Sequence, residues 1–152
     1  LRGLSSAGER LAATLGEGHR HDLPGEYACR SGGKAQRYCG GYDLGRLGWY
    51  AHNSGRETHP VGQKRANRLG LHDMSGNVWE WVTDWYDADY YDTVPDGQLD
   101  PTGLDSGDYR MVRDGSWLSY QWFTRCADRG YLVPNFHFSF IGFRVVCEDV
   151  PD

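Results

Sequence analysis

Gly70-Leu-His-Asp-Met-Ser-Gly-Asn-Val-Trp-Glu-Trp81, continued by Val82-Thr-Asp-Trp85, decides the fold. Val78, Glu80 and Val82 alternate with Trp79 and Trp81, and that period of two predicts a strand. A carboxylate set between two indoles is costly to bury unless it is paired or bound to a cation. Glu80 therefore has two readings, an ion pair with an arginine or a ligand to a metal. Trp79, Trp81 and Trp85 read as core.

Working outward, the second informative stretch runs from Asp114-Gly-Ser-Trp117 to Gly142-Phe-Arg144. Between its ends, Leu118 to Ile141 hold no Lys, Glu or Met, but they hold Tyr120, Trp122, Phe123, Tyr131, Phe136, Phe138 and Phe140. A solvent-facing segment of this length would carry Lys and Glu. A buried one would repeat at a strand or helix period. Leu118-Ser-Tyr120 and Asn135-Phe-His-Phe-Ser-Phe140 instead mix rigid rings with small polar residues, as antibody-like binding surfaces do. This favours a recognition surface over a catalyst.

The remaining chain predicts little regular structure. Leu4, Ala7, Leu11 and Leu15 form one stripe, so a helix is expected over 4–15, capped by Ser5 or Ser6 and ended by Gly16. Glu26 to Arg30 reads as a second, short helix stopping at Ser31-Gly-Gly33. Residues 31–70 read as loop, with Trp49 and Tyr50 as packing anchors. Tyr109–Arg113 and Phe143–Cys147 read as strands, and the acidic stretch from Asp87 to Asp108 as a solvated loop. The histidines read as surface residues, since His52, His59 and His72 lack the spacing of a metal site.

With 152 residues the chain suggests one domain, 1–152. Its net charge of -5, mixed in sign, favours neither nucleic acid nor an anionic membrane surface as partner. No apolar run approaches the roughly 20 residues that span a bilayer. Twenty-one glycines beside six Trp and ten Tyr suggest an irregular fold, in which loops cross closely and rings fill the gaps. The first residue is Leu, so the native chain is expected to start earlier. The compartment stays open between the cytoplasm and surface display in a bacterium, archaeon or phage. The four cysteines Cys29, Cys39, Cys126 and Cys147 read as buried free thiols. Cys126 and Cys147 also lie on segments expected to pack together, which allows a disulfide between them.

The 70–85 stretch resembles the core motif of the formylglycine-generating enzyme (sulfatase-modifying factor) family. So do Arg113-Asp-Gly-Ser-Trp117, Arg125-Cys-Ala-Asp-Arg129 and Ile141-Gly-Phe-Arg144. The resemblance runs in order over about residues 20–147. It implies an α+β, C-type-lectin-like fold with few short strands, one or two helices and much irregular loop. It implies structural roles for Arg125, Arg129 and Arg144, tying loops through bidentate bonds. It also implies a structural calcium site, with Glu80 and the carbonyls of Gly76 and Val78 as hard oxygen ligands. A Glu80–arginine pair stands beside that as the alternative, and no cofactor is required.

Two departures bear on function. Family enzymes use two cysteines, five positions apart, after the Gly-Ser-Trp motif. Ser119 and Thr124 occupy those positions here, and a hydroxyl neither binds soft copper(I) nor runs thiol redox chemistry. The stretch Leu23-Pro-Gly-Glu-Tyr27 is also shortened. The expectation is therefore that the chain is not an enzyme.

The last third, about 117–144, resembles the variable proteins of diversity-generating retroelements. Those systems randomise adenines in Asn codons, which yields many residue types but not Lys, Glu, Gln, Met or Trp. Gln121 and Trp122 would then be template-fixed. Candidate diversified, ligand-binding positions are Leu118, Ser119, Tyr120, Phe123, Asp128, Gly130, Tyr131, Leu132, Val133, Phe136, Phe138, Ser139 and Phe140. The function so implied is non-catalytic binding of a ligand, expected to be a protein. The alternative is a metal-dependent oxidase on the same scaffold.

Overall fold

Where the sequence alternates, the chain pairs. The computed structural model describes residues 24–90 and 103–145. Strand β1 (Trp79–Trp85) is the spine of a four-stranded sheet with β2 (Arg110–Arg113), β3 (Gly130–Leu132) and β4 (Ile141–Gly142), in the order β3-β2-β1-β4. β1 and β2 are antiparallel, setting Glu80 opposite Arg113 and Trp81 opposite Val112. β2 and β3 are antiparallel through Met111 and Tyr131, while β1 and β4 run parallel with Trp79 beside Ile141.

Two short helices stand beside the sheet. α1 (Pro24–Cys29) starts on a proline, which has no amide hydrogen to leave unpaired at a first turn. It stops where Ser31, Gly32 and Gly33 all take positive φ. α2 (Leu44–Leu47) buries Leu44 and Leu47 beside Tyr38, with Tyr50 packed against them. A 3-10 turn covers Gln121–Thr124. The helix expected over Leu4–Leu15 lies outside the described residues, as do Cys147 and most of the acidic stretch.

Two glycines let the loops cross. A Cβ on Gly48 would lie 1.6 Å from the Ser75 carbonyl oxygen. Gly76 has φ +87, and a Cβ there would lie 2.1 Å from the Trp49 oxygen. At this crossing Asn77 N donates to Trp49 O at 2.7 Å, Gly76 N to Asp114 O at 2.6 Å, and Trp117 N to Asn77 O at 2.8 Å. The loops are thus held by backbone hydrogen bonds that no side chain larger than hydrogen would permit.

Charged residues complete the frame. Arg144 grips both oxygens of Glu80, reaching Oε1 at 2.6 Å, and donates to the His72 and Asp73 carbonyls at 3.2 Å. Glu26 forms ion pairs with Arg30 at 2.9 Å, Arg113 at 3.3 Å and Arg129 at 3.6 Å. Such buried pairs are held firmly because removing one partner strands the other charge.

Two sequence expectations need correction. The strand expected over Phe143–Cys147 is Ile141–Gly142 instead. Phe143 and Val145 alternate with Arg144 as a strand would, but both face solvent while Arg144 leaves the sheet to reach Glu80. Trp79, Trp81 and Trp85, read as core, are partly rather than fully buried. Trp85 carries the Arg110 guanidinium 3.7 Å above its ring.

Candidate functional site: an exposed aromatic surface and a buried sulfur cluster

The segment after β2 leaves the frame at Ser116. This serine is buried, and its amide N–H donates to the Ser119 hydroxyl oxygen at 3.0 Å while its own hydroxyl lies 3.2 Å from the same oxygen. That small knot turns Leu118, Tyr120, Trp122 and Phe123 outward, each about half exposed. Tyr120 and Trp122 stack at 4.9 Å, and His52 reaches Tyr120 from the 50s loop at 6.1 Å.

A second ring group comes from the loop between β3 and β4. Phe136 stacks on Phe138 at 4.8 Å, and Phe138 on Phe140 at 5.5 Å. The two groups meet at a cavity of about 270 Å³ lined by Trp79, Ser116, Leu118, Ser119, Tyr120, Phe123 and Phe140. Its lining takes Trp79 from β1 and Ser116 from the frame, and its other residues are candidate variable positions.

The structure separates the remaining candidates. Tyr131 sits on β3, stacked on Tyr86 at 3.9 Å and edge-on to Tyr109 at 5.3 Å. Leu132 is half-buried opposite Arg110, whereas Val133 and Ser139 are exposed. Asp128 is partly buried beside Arg125, and burial pushes its carboxyl above the usual range. Gly130 is tightly placed: a Cβ there would meet Val112 Cγ2 at 2.9 Å.

For Glu80 the geometry shows the ion pair, with Arg144 on both oxygens, so a calcium ion at this carboxylate would have to displace a guanidinium. Gly76 lies in the loop crossing, and the Val78 side chain packs beneath Gly142. Next to this pair, Asp114 is buried with φ +77. Burial, helped by the Glu80 charge, pushes its carboxyl up to about 7 against the pull of Arg144 and Arg113. Of the arginines given structural roles, Arg129 and Arg144 meet buried carboxylates, while Arg125 donates to the Trp122 carbonyl at 2.8 Å.

The sequence reading missed the arrangement of the cysteines. Ser119 is committed to the Ser116 knot, and Thr124 is fully buried with its hydroxyl donating to the Gln121 carbonyl at 3.0 Å. Sulfur gathers elsewhere. Cys29 at the end of α1 is bonded to Cys39, and Cys126 Sγ lies 3.9 Å from Cys39 Sγ. All three sulfurs lie within 4.8 Å of one another, buried with Ala28 and Met74. The expectation of free thiols at Cys29 and Cys39 is thus corrected, and Cys126 is free. Burial pushes the Cys126 thiol up to about 12, which leaves it protonated and inert as it stands. The even number of cysteines was the only signal for this, and spacing alone left three pairings open.

The thin mixed sheet, the crossed Gly loops and the Arg–Glu bolts define a formylglycine-generating-enzyme-like domain with a C-type-lectin-like fold. Residues 12–149 match the family described as sulfatase-modifying factor enzyme 1-like domain, and the chain belongs to that family.

Among its relatives is the formylglycine-generating enzyme of Streptomyces coelicolor, 35% identical over 136 residues, covering 78% of this chain and 43% of the enzyme. The serine/threonine-protein kinase pkn1 of Chlamydia caviae is 42% identical over 88 residues, covering 58% of this chain and 14% of the kinase. Among solved structures, Treponema denticola variable protein 1 superposes with a TM-score of 0.69 at 32% identity, covering 79% of this chain and 43% of that one. The chain thus spans less than half of each of these relatives.

The expectation that the chain is not an enzyme does not stand. It rested on an absent cysteine pair, yet three cysteines meet in the core and enzymes of the family are relatives at this identity. Positions 119 and 124 carry hydroxyls, whereas the fold assembles sulfur from positions 29, 39 and 126.

Proposed function

We propose that this domain binds a protein ligand through the surface formed by Leu118–Phe123 and Phe136–Phe140, and that a retroelement diversifies Leu118, Ser119, Tyr120, Phe123, Phe136, Phe138, Ser139 and Phe140 within it. The observation that carries the reading is the 270 Å³ cavity, lined by frame residues Trp79 and Ser116 and by candidate variable residues Leu118, Ser119, Tyr120, Phe123 and Phe140. The stacked, half-exposed rings around it offer large contact area with little rotamer entropy to lose. Fully burying one Phe contributes roughly 1.5–3 kcal/mol, so three or four such rings offset much of the cost of association. The likeness to a variable protein supports the same reading.

A display library randomised at Leu118, Tyr120, Phe123, Phe136 and Phe138, and selected against immobilised lysozyme, tests it. Specific binders that keep the parent melting temperature are the expected result. A library whose members mostly fail to fold would overturn it. The gene provides an independent check: Asn-derived codons across 118–140 and a nearby template repeat are expected.

A second reading, thiol oxidation, is favoured by the three-sulfur cluster and by the relationship to formylglycine-generating enzymes. It stands second because the sulfurs are sealed from solvent, so a peptide thiol reaches them only if the core opens. Oxygen-dependent conversion of a cysteine peptide, followed by mass spectrometry, tests it, and its loss in Cys126→Ala would place the reaction at the cluster.

A further inference from the structure

A second cavity, of about 140 Å³, opens where β1 ends. Its lining includes Asp84, Trp85, Tyr86, Tyr90, Met111 and Arg129, so charged groups of both signs share one space with aromatic walls. It has no lining residue in common with the cavity between the two ring groups.

The walls are fixed from behind. Tyr86 stacks on Tyr131 at 3.9 Å, and Trp85 carries the Arg110 guanidinium at 3.7 Å. Met111 is buried on β2. Gly103 joins the lining with φ +77, and its N–H donates to the Tyr90 hydroxyl oxygen at 3.1 Å. A Cβ on Gly103 would lie 3.2 Å from Asp84 Oδ1, so glycine keeps the approach to that carboxylate open.

Asp84 is the group that asks for a ligand. It is half-buried, yet among the described residues no hydrogen bond or ion pair reaches its carboxylate. A carboxylate drawn out of water without a donor is costly. Burial accordingly pushes its carboxyl above the usual range, against the pull of Arg113, Arg110 and Arg129.

We infer that this cavity binds a free α-amino acid with an apolar side chain, whose ammonium meets Asp84 and whose carboxylate meets Arg129. The inference rests neither on the aromatic surface nor on the sulfur cluster.

The charges select the ligand. A lone ammonium on Asp84 would also meet the field of Arg113, Arg110 and Arg129, all of which act on that carboxylate. A lone carboxylate on Arg129 would meet Asp84, and also Glu26, which pairs with that arginine at 3.6 Å. A zwitterion brings one charge of each sign and relieves both conflicts. Its ammonium supplies the donors that Asp84 lacks. A guanidinium has five N–H donors in a fork, so Arg129 can serve a second carboxylate beside Glu26. The rings and the Met111 thioether take the apolar side chain. The volume is well under the roughly 300–1,000 Å³ of sites for drug-sized molecules, which limits the occupant to a single small residue.

The molecule contains its own reporter. It has two methionines, Met111 at this cavity and Met74 in the sulfur cluster. The whole protein, isotope-labelled at the methionine methyl groups, is titrated with L-leucine and followed by NMR. The Met111 signal is expected to shift saturably, with a Kd of about 1 mM or tighter, while the Met74 signal stays in place. Isoamylamine and isocaproate are leucine without its carboxylate and without its ammonium. Each is expected to bind at least about tenfold more weakly, a readout that does not depend on any variant folding. Asp84→Asn is expected to weaken leucine binding by roughly tenfold to a hundredfold while the chain still melts cooperatively. An absence of any saturable Met111 shift at roughly 10 mM leucine would overturn the inference. So would a shift of Met74 alone, an amine or acid that binds as tightly as leucine, or a folded Asp84→Asn chain that keeps its full affinity.

Discussion

The frame around Gly76, Asp114 and Arg144 and the surface from Leu118 to Phe140 both carry aromatic residues, yet they obey opposite rules. In the frame, polar side chains are tied to distant partners: Arg144 holds Glu80, and Asn77 both donates to His59 O and accepts from His59 N. Backbones there approach so closely that a methyl group would collide. On the surface the rings meet mainly one another and solvent, and exposure of about half is the rule. The contrast teaches that stability and recognition are carried by different residues here. A surface can change its side chains when nothing beneath it needs them.

Mutations can break or sharpen this contrast. The largest effect is expected from Gly76→Ala, which combines a positive φ with a Cβ 2.1 Å from the Trp49 oxygen. It is expected to cost more than about 4 kcal/mol in urea unfolding, or to abolish cooperative folding. A near-neutral result would mean the two loops do not cross as described. Next comes Arg144→Met, which leaves Glu80 without its guanidinium and is expected to cost about 3 kcal/mol. Double substitution with Glu80→Leu should recover part of that loss, since both charges are then gone.

The third effect depends on pH. Asp114 holds its proton to about 7 in the folded chain, against about 4 when unfolded. The folded state therefore binds more protons between these values, and stability falls as pH rises from about 4 to 7, then levels. Asp114→Asn, which keeps an amide tolerant of positive φ, is expected to flatten that part of the curve and to melt higher than the parent at pH 8. Melting temperatures of both chains from pH 4 to 8 would measure it, and parallel curves would refute it. The smallest effect is expected on the surface: Tyr120→Ala and Phe138→Ala should each change stability by no more than about 0.5 kcal/mol. A loss of several kcal/mol from either would show that the ring belongs to the core, and would erase the contrast.

Much of the frame was readable in the chain. The alternation at Val78–Val82 announced β1, and the polar–glycine break after Arg30 announced the end of α1. Glu80 between two indoles announced a buried charge in need of a partner, although it could not say whether that partner was a cation or Arg144, 64 residues away. Phe143–Val145 imitated a strand because alternation records facing and not pairing. The cysteines were the hardest to read. Cys29 and Cys39 are ten residues apart in a glycine-rich turn, and Cys126 reaches them only after 87 more residues of chain.

By itself, then, the sequence determined the local pieces: where the chain extends, where it turns, and which segment carries rings without long charges. These follow from side-chain periodicity and backbone freedom, which act over a few residues. The tertiary structure alone decided which distant groups meet, putting Arg144 on Glu80, Trp79 beside Leu118, Tyr120, Phe123 and Phe140 in one cavity, and three sulfurs in one dry cluster. The physical reason is that burial and charge pairing depend on what packs against a residue. That is settled by how loops cross at Gly48 and Gly76, which no short-range pattern records.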